Sequence, residues 1–106
     1  MDGIGRMRRL LSLQKETRAP DGAGGAATAW VETARVFGAV EGLAGDDGSG
    51  AMRAAGRTRY RVTLRYRAGV EAGQHLVEGA RVLTIRAAFD PDGTRRRLVC
   101  LCEEET

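Results

Sequence analysis

The chain has 106 residues, which is room for one domain, and its 42% hydrophobic content is ordinary for a globular protein. Its 15 glycines favour turns over long helices, no apolar run approaches the ~20 residues that cross a bilayer, and the N-terminus lacks the apolar core of a signal peptide. We therefore expect no membrane contact. The formal net charge of +3 is mild and rests on arginine, since Lys15 is the only lysine among 17 basic residues.

The first half of the chain predicts two strands joined by a glycine-rich loop. Residues 9–15 could form a strand or a helical turn. The shortness of this segment and the Pro-Asp-Gly turn that follows it favour a strand. A flexible loop is expected at about 18–28. Residues 28–41 then predict one long strand or two broken ones, bent near Thr33, with Trp30 as a core anchor.

A second loop is expected at 42–58. This stretch has no apolar periodicity, and at most a turn and a half of helix fits within residues 51–56. A connection of this length inside a compact domain is uncommon unless it is functional or disordered. Two interpretations stay open: a solvated loop with no task, or a segment that becomes ordered when neighbouring copies or a partner meet it.

The clearest strand signal lies at residues 60–67. Apolar side chains occupy the even positions and polar ones the odd positions, which is the alternation of a half-buried strand. A short strand is expected around His75, within a segment that otherwise predicts a turn. The lone histidine itself is expected on the surface or in a loop.

The C-terminal residues predict an antiparallel hairpin. Residues 81–89 and 95–102 are the two strands, and the Asp-Pro-Asp-Gly sequence between them is a strong turn. One face of the first strand is expected to carry Leu83, Ile85, Ala87 and Phe89.

Together these segments give about five or six strands, short turns and no convincing helix. We predict a mainly β chain in which residues 1–106 form a single domain. The expected architecture is a small antiparallel β-barrel or sandwich with flexible loops at about 18–28 and 42–58.

Side chains that could carry chemistry are sparse. Asp46 and Asp47 are adjacent carboxylates, but a flexible stretch cannot hold them at the fixed separation that acid–base catalysis needs. Cys100 and Cys102 lie two apart in a strand, so they point the same way and suit small buried thiols better than a disulfide. With His75 they fall short of a zinc site. We expect no enzyme activity, no metal and no cofactor.

The charge pattern is more informative. The residues that we expect to contact a partner or another subunit are Arg59, Arg61, Arg65, Arg67, Arg95, Arg96, Glu103 and Glu104. Four like charges on one strand face repel each other unless anions oppose them. Two sources of these anions stay open. The first is carboxylates on neighbouring strands, and the second is the acidic surface of a partner, either another subunit or DNA phosphate. A basic face separated from an acidic end also suits head-to-tail contact between identical copies, which closes into rings.

An alternative function is a small nucleic-acid-binding β-barrel that uses the arginine-rich strand face. Such modules usually add exposed aromatic rings on which bases stack. Tyr60 and Tyr66 are expected on the opposite, apolar face from the arginines, which counts against this alternative.

The order and spacing of several segments resemble the head–tail joining, or head closure (stopper), proteins of long-tailed phages and gene transfer agents. The resemblance extends over nearly the whole chain, and its most specific part is residues 60–67 with Gly69 and Val70. The remaining matches are residues 13–15, the glycine loop 21–25 followed by Trp30, residues 36–41, Ile85, Asp90, and residues 95–103.

The resemblance implies a structural subunit of a head–tail connector ring, in a virion or phage-like particle assembled in the bacterial cytoplasm. Such a ring, expected to be a hexamer, lies below the portal or adaptor protein, closes the DNA-filled head and docks the tail terminator protein. Adaptor or tail-terminator roles stay open, as does the choice between an infectious phage and a gene transfer agent.

The resemblance also implies a loop that points into the DNA channel. The candidates here are Gly45, Asp46, Asp47, Gly48, Ser49, Met52 and Arg53. The family often has a charged, helix-forming sequence in this loop, and the acidic pair departs from it. These carboxylates would repel DNA phosphate and reduce sticking during passage.

Overall fold

The structure is a computed structural model that describes residues 8–20, 22, 24–43, 53–54 and 57–105. Within these ranges the regular structure is entirely β. The strands are β1 (Arg9–Pro20), β2 (Ala26–Gly42), β3 (Arg53–Ala54), β4 (Arg57–Arg65), β5 (His75–Glu78), β6 (Arg81–Phe89) and β7 (Arg97–Glu105). A helix with the length and apolar character needed to span a bilayer does not occur in this described part of the chain.

Six of the strands form one antiparallel sheet whose two edges meet. The order is β2–β1–β5–β6–β7–β4, and β2 also pairs with β4 from Gly38 to Gly42, which closes the ring. The two-residue β3 pairs with the start of β4. The predicted mainly β fold with five or six antiparallel strands is confirmed, and so is the hairpin of β6 and β7.

The core lies inside the closed sheet. Alternation along β4 places Val62 and Leu64 in it with no exposed surface, as the sequence predicted. The strand ends at Arg65, however, and Tyr66 beyond it is 36% exposed instead of packing with the apolar face. The buried cluster consists of Leu11, Leu13, Val62, Leu64, Leu76, Leu83, Ile85, Leu98, Cys100 and Cys102.

Gly38 is the position where β2 comes closest to the core. A Cβ atom at this residue would lie 2.8 Å from Cδ2 of Leu64 and 3.0 Å from Cδ1 of Leu11. Real Cβ atoms do not approach other carbons so closely, so only glycine fits without displacing a neighbour. This close approach lets β2 pair with β4 and complete the ring.

A bulge in β2 supplies the predicted bend near Thr33. Leu13 lies opposite Ala34, whereas Gln14 lies opposite Glu32, so Thr33 is an extra residue, and its hydroxyl donates to the Leu13 carbonyl at 3.2 Å. The prediction that Trp30 anchors the core is wrong. Trp30 lies beyond the bulge, where the two strands have left the closed sheet, and it is 39% exposed.

A second bulge reverses the faces of β6. Ile85 lies opposite Cys102 and Ala87 opposite Leu101, which leaves Arg86 without a partner of its own on β7. The prediction that Leu83, Ile85, Ala87 and Phe89 share one face is therefore wrong. Ala88 packs on the core instead, and Phe89 points outward.

The first predicted loop is shorter than expected. β1 and β2 stay paired as far as Pro20 and Ala26, so the connection is confined to residues 21–25 rather than 18–28. We call residues 15–20 and 26–31 the ribbon, because in the described chain they pair only with each other. A two-stranded ribbon is marginally stable by itself.

Candidate interaction surfaces

The arginine row predicted on one strand face is present on the outer side of β4. Arg59, Arg61 and Arg65 project from this strand, and Arg67 follows its end. Arg59 lies directly opposite Glu103 on β7, and Arg61 pairs with Glu41 on β2 at 3.5 Å. Two of the four arginines therefore face carboxylates of neighbouring strands.

The acidic C-terminal end is also used within the subunit. The guanidinium of Arg86 donates to Glu103 at 3.0 Å, and that of Arg81 donates to Glu104 at 3.4 Å. Antiparallel pairing of β4 with β7 places Arg59 beside this end rather than away from it. The expected separation of a basic face from an acidic end is therefore not found for this part of the row.

Charged side chains also close one end of the sheet. Arg9 donates from Nε to Glu78 at 2.9 Å, Arg81 lies 3.6 Å from the same carboxylate, and the Arg81 guanidinium stands 5.0 Å from the centre of the Tyr60 ring. The hydrogen bond from Arg9 lowers the pKa of Glu78. These contacts neutralise charge at the sheet end and leave it little capacity for partners.

The opposite end carries a basic pole. Its members are Arg65, Arg67, Arg95, Arg96 and Arg97, which the end of β4 and the β6–β7 connection bring together. Arg65 lies directly opposite Arg97, and the Tyr66 amide donates to the Arg96 carbonyl at 3.2 Å. In the described residues, no carboxylate comes within 4.0 Å of these five guanidinium groups. Four of them were predicted to contact a partner or another subunit, and none of the four has an ion pair in the described chain: Arg65, Arg67, Arg95 and Arg96.

The connection between β6 and β7 holds the basic pole in place. Asp90 accepts hydrogen bonds from the backbone amides of Gly93 and Arg95, at 3.0 and 2.7 Å. Arg95 adopts φ 60°, a left-handed conformation that is costly for a residue with a side chain. The hydroxyl of Thr94 donates to Asp92 at 2.9 Å and lowers the pKa of that carboxyl. The turn that the sequence predicted is thus a loop that hydrogen bonds to Asp90 and Asp92 hold in one conformation.

Trp30 attaches the ribbon to the closed sheet. Its ring stacks on His75 of β5, with centroids 3.6 Å apart and planes 10° from parallel. Burial lowers the pKa of His75, and nearby Glu16 opposes this effect. His75 is therefore a half-buried strand residue, not the surface or loop histidine that we expected. The contact joins residues 45 positions apart in the chain, so no local pattern shows it.

An apolar outer surface is the feature that the sequence did not reveal. Ala39, Thr63, Val99 and Phe89 form one row across β2, β4, β7 and β6. Beside this row on the same face lie Arg65, directly opposite Arg97, and Phe37, which immediately precedes Gly38 at the end of the β2–β4 pairing. Phe37 is 57% exposed and Phe89 is 45% exposed. We call these seven residues the outer patch.

Among the residues that the structure describes, the remaining side chains with reactive groups show no arrangement for catalysis. Cys100 and Cys102 point into the core as free thiols, as expected, and burial raises the pKa of each to about 12. A thiol with so high a pKa is not a nucleophile at neutral pH. No group of three metal-binding side chains occurs among the residues that the structure describes.

The channel-loop candidates lie almost wholly outside the described residues. Gly45, Asp46, Asp47, Gly48, Ser49 and Met52 fall there, and Arg53 is seen only as part of β3. Their place relative to a channel therefore stays a prediction.

Known proteins resemble the chain over nearly all of its length. The model of the phage head completion protein family matches residues 3–105. A chain from the virion of a native gene transfer agent particle is 27% identical, with a TM-score of 0.74 over 95% of this chain and 96% of that chain. A Shigella flexneri 2a protein solved in solution is 29% identical, with a TM-score of 0.72 over 95% of each chain. No curated protein matches.

The described part of the chain is a closed sheet with charged and apolar outer surfaces and without a catalytic group. The matches agree with these features. They support a structural role in the phage head and a place in the virion particle. The chain belongs to the phage head completion protein family.

Proposed function

We propose that the chain is a subunit of the head–tail connector ring of a tailed phage or gene transfer agent. In this role it closes the DNA-filled head below the portal or adaptor protein and docks the tail terminator protein. The ring contains identical copies, six in the particle, and is assembled in the bacterial cytoplasm. The observation that carries the proposal is the match to a chain of the gene transfer agent virion, which spans 95% of this chain and 96% of the other.

The distribution of paired and unpaired charges supports contacts with other components at the basic pole. Arg61, Glu103 and Glu104 form ion pairs within the subunit, and Arg59 lies directly opposite Glu103, so little free energy is left for these four residues to contribute to an interface. Arg65, Arg67, Arg95 and Arg96 lack such partners in the described chain. We therefore narrow the predicted interface to these four arginines, whose forked guanidinium groups suit carboxylates of a neighbouring protein.

The channel-loop assignment belongs to the same proposal. Residues 45–49 with Met52 and Arg53 lie between the end of β2 and the start of β4, where β2 and β4 join to close the sheet. A loop at this seam would extend from the subunit body toward the ring axis. Asp46 and Asp47 would then repel DNA phosphate and reduce its adhesion to the channel wall.

Direct nucleic-acid binding is the second candidate function. The exposure of Tyr66 supports this candidate, because Tyr66 is 36% exposed between Arg65 and Arg67 instead of lying on the apolar face. Tyr60 still faces inward against Arg81, so only one of the two tyrosines is available for stacking on a base. Steeply salt-dependent DNA binding by the isolated chain would favour this alternative over the connector.

Electron microscopy of particles from a source strain that lacks this gene tests the connector role. We expect DNA-filled or leaking heads separate from normal tails, and leakage of DNA would indicate a stopper specifically. The strain complemented with the intact gene is the control and should produce joined particles. Intact tailed particles from the deletion strain would contradict the proposal.

A further inference from the structure

The outer patch has the composition of a covered surface. An antiparallel sheet with one face on the core normally presents polar residues on the other face. Here the outward-facing Thr63 and Val99 are each only 8% exposed, and the rings of Phe37 and Phe89 lie in solvent beside them. Two aromatic rings with arginines at their side are also typical of interface centres. We therefore looked for an occupant that supplies apolar surface and negative charge.

One position on the ribbon of the same chain, the pair Glu16 and Trp30, has both properties. Trp30 and Glu16 lie directly opposite each other, so their side chains share one face of the ribbon. The stack on His75 leaves Trp30 39% exposed, and Glu16 is exposed with no ion pair among the described residues. We call the face with Glu16, Arg18, Thr28 and Trp30 the Trp30 face. Arg18 lies opposite Thr28, nearer the tip of the ribbon, so Glu16 is the charged residue next to Trp30.

We propose that the Trp30 face of the ribbon docks on the outer patch of a neighbouring copy of this chain. The inference rests on the proposed function, because it requires identical copies side by side in a ring. Trp30 would pack on Phe37 and Phe89, and Glu16 would approach Arg65 and Arg97. The opposed arginines of the patch have no carboxylate within 4.0 Å in the described chain and would thereby gain one.

The positions of the two surfaces fit a ring. Residues 15–20 at ~3.4 Å each extend about 20 Å beyond the closed sheet, and the longest axis of the molecule is 52 Å against 33 and 24 Å for the others. The ribbon and the outer patch are different parts of one chain, so the contact is heterologous. Repeated heterologous contacts close into a ring when the rotation allows it.

Photo-cross-linking in assembled particles tests the contact. A strain would carry p-benzoylphenylalanine at Thr28, on the Trp30 face, with Val31 on the opposite face of the ribbon as the matched control position. After irradiation of purified particles, mass spectrometry should find cross-links from position 28 to β2, β4, β7 or β6 of a second copy. The yield from position 31 should be severalfold lower.

Charge reversal provides the second measurement. Glu16→Arg or Arg65→Glu alone should lower the cross-link yield from position 28 about twofold to fivefold, the range for a partly screened ion pair. The Glu16→Arg/Arg65→Glu double variant should restore it. Glu71→Arg and Lys15→Glu make the same charge changes at exposed positions outside both surfaces, since Lys15 lies opposite Val31 on the other face of the ribbon, and they should leave the yield unchanged.

The outcomes separate this inference from the proposed function. Cross-links from position 28 to another protein, to DNA or to a second ribbon would overturn the docking contact, as would their absence from particles that contain the chain. In those cases, a ring of copies seen by cryo-electron microscopy at the head–tail junction would still support the connector role. A chain that is absent from the junction would overturn both.

Discussion

Arg65 on β4 lies directly opposite Arg97 on β7, and this is the last residue pair of the β4–β7 ladder. Like charges at directly opposed positions of an antiparallel pair are destabilising. In the described chain neither guanidinium has a carboxylate within 4.0 Å. The subunit is therefore less stable at this point than a paired arrangement would make it, and a partner that brings an acidic group would relieve the repulsion.

Arg65→Glu should stabilise the isolated subunit. The change replaces two opposed positive charges with an ion pair, and we expect a gain of about 0.2–1 kcal/mol in the free energy of unfolding. Urea denaturation at low salt measures it. Arg67→Glu is the matched control, because Arg67 lies beyond the strand and should change stability less. An equal gain in both variants would show that net charge, not the opposed pair, is responsible.

Gly38→Ala should destabilise the fold. The added methyl group would lie 2.8 Å from Leu64, so β2 or the leucine must move, at a cost of about 1–3 kcal/mol. Thermal or urea denaturation measures the loss. Leu64→Val in the same chain removes the crowded methyl group, so the double variant should lose less than the sum of the single changes. Additive losses would mean that the close approach is not what requires glycine.

Asp90→Ala should loosen the loop that holds the basic pole. The amides of Gly93 and Arg95 lose their acceptor, and we expect a loss of about 1–2 kcal/mol. Faster hydrogen exchange at the Arg95 amide would report the change locally. Asp92→Ala removes an acceptor for Thr94 but none for the Arg95 amide, so it should leave that exchange rate nearly unchanged. Equal exchange in Asp90→Ala and the unaltered chain would contradict this role of Asp90.

The fluorescence of Trp30 should depend on pH through His75. Trp30 is the only tryptophan, so its emission reports the stack directly. Because burial lowers the pKa of His75 in the folded chain, the emission should change with a midpoint below 6.5. The unfolded chain then binds the proton more readily, so the free energy of unfolding should fall as the pH drops below about 6.5.

Replacing the titrating group is the control for this prediction. His75→Phe keeps a ring against the indole and removes the proton, so the change in emission near that pH should disappear. A midpoint above 6.5 in the unaltered chain would show that Glu16 and the indole stabilise the imidazolium more than burial disfavours it.

Much of the fold could be predicted from local patterns. The alternation at residues 60–67 located β4 and its buried Val62 and Leu64, the turn at Asp90 located the β6–β7 hairpin, and the bend near Thr33 proved to be a bulge. Side-chain alternation and turn chemistry act over a few residues, so the sequence shows them directly.

The failures have a common physical cause. A bulge inserts one residue and exchanges the two faces of a strand, which placed Ala88 on the core and left Phe89 in solvent. Trp30 was assigned to the core because alternation does not show where a strand leaves the closed sheet. The pairing of Arg59, Arg61, Glu103 and Glu104 within the subunit depends on the register of β4 with β7 and β2, which is set over long range.

Cryo-electron microscopy of intact particles, focused on the head–tail junction, tests the central claim most directly. We predict a ring of copies of this closed six-stranded sheet between the portal or adaptor and the tail, with residues 45–53 directed to the channel. Density for the chain at any other site in the particle, or no density for it in joined particles, would contradict the connector role.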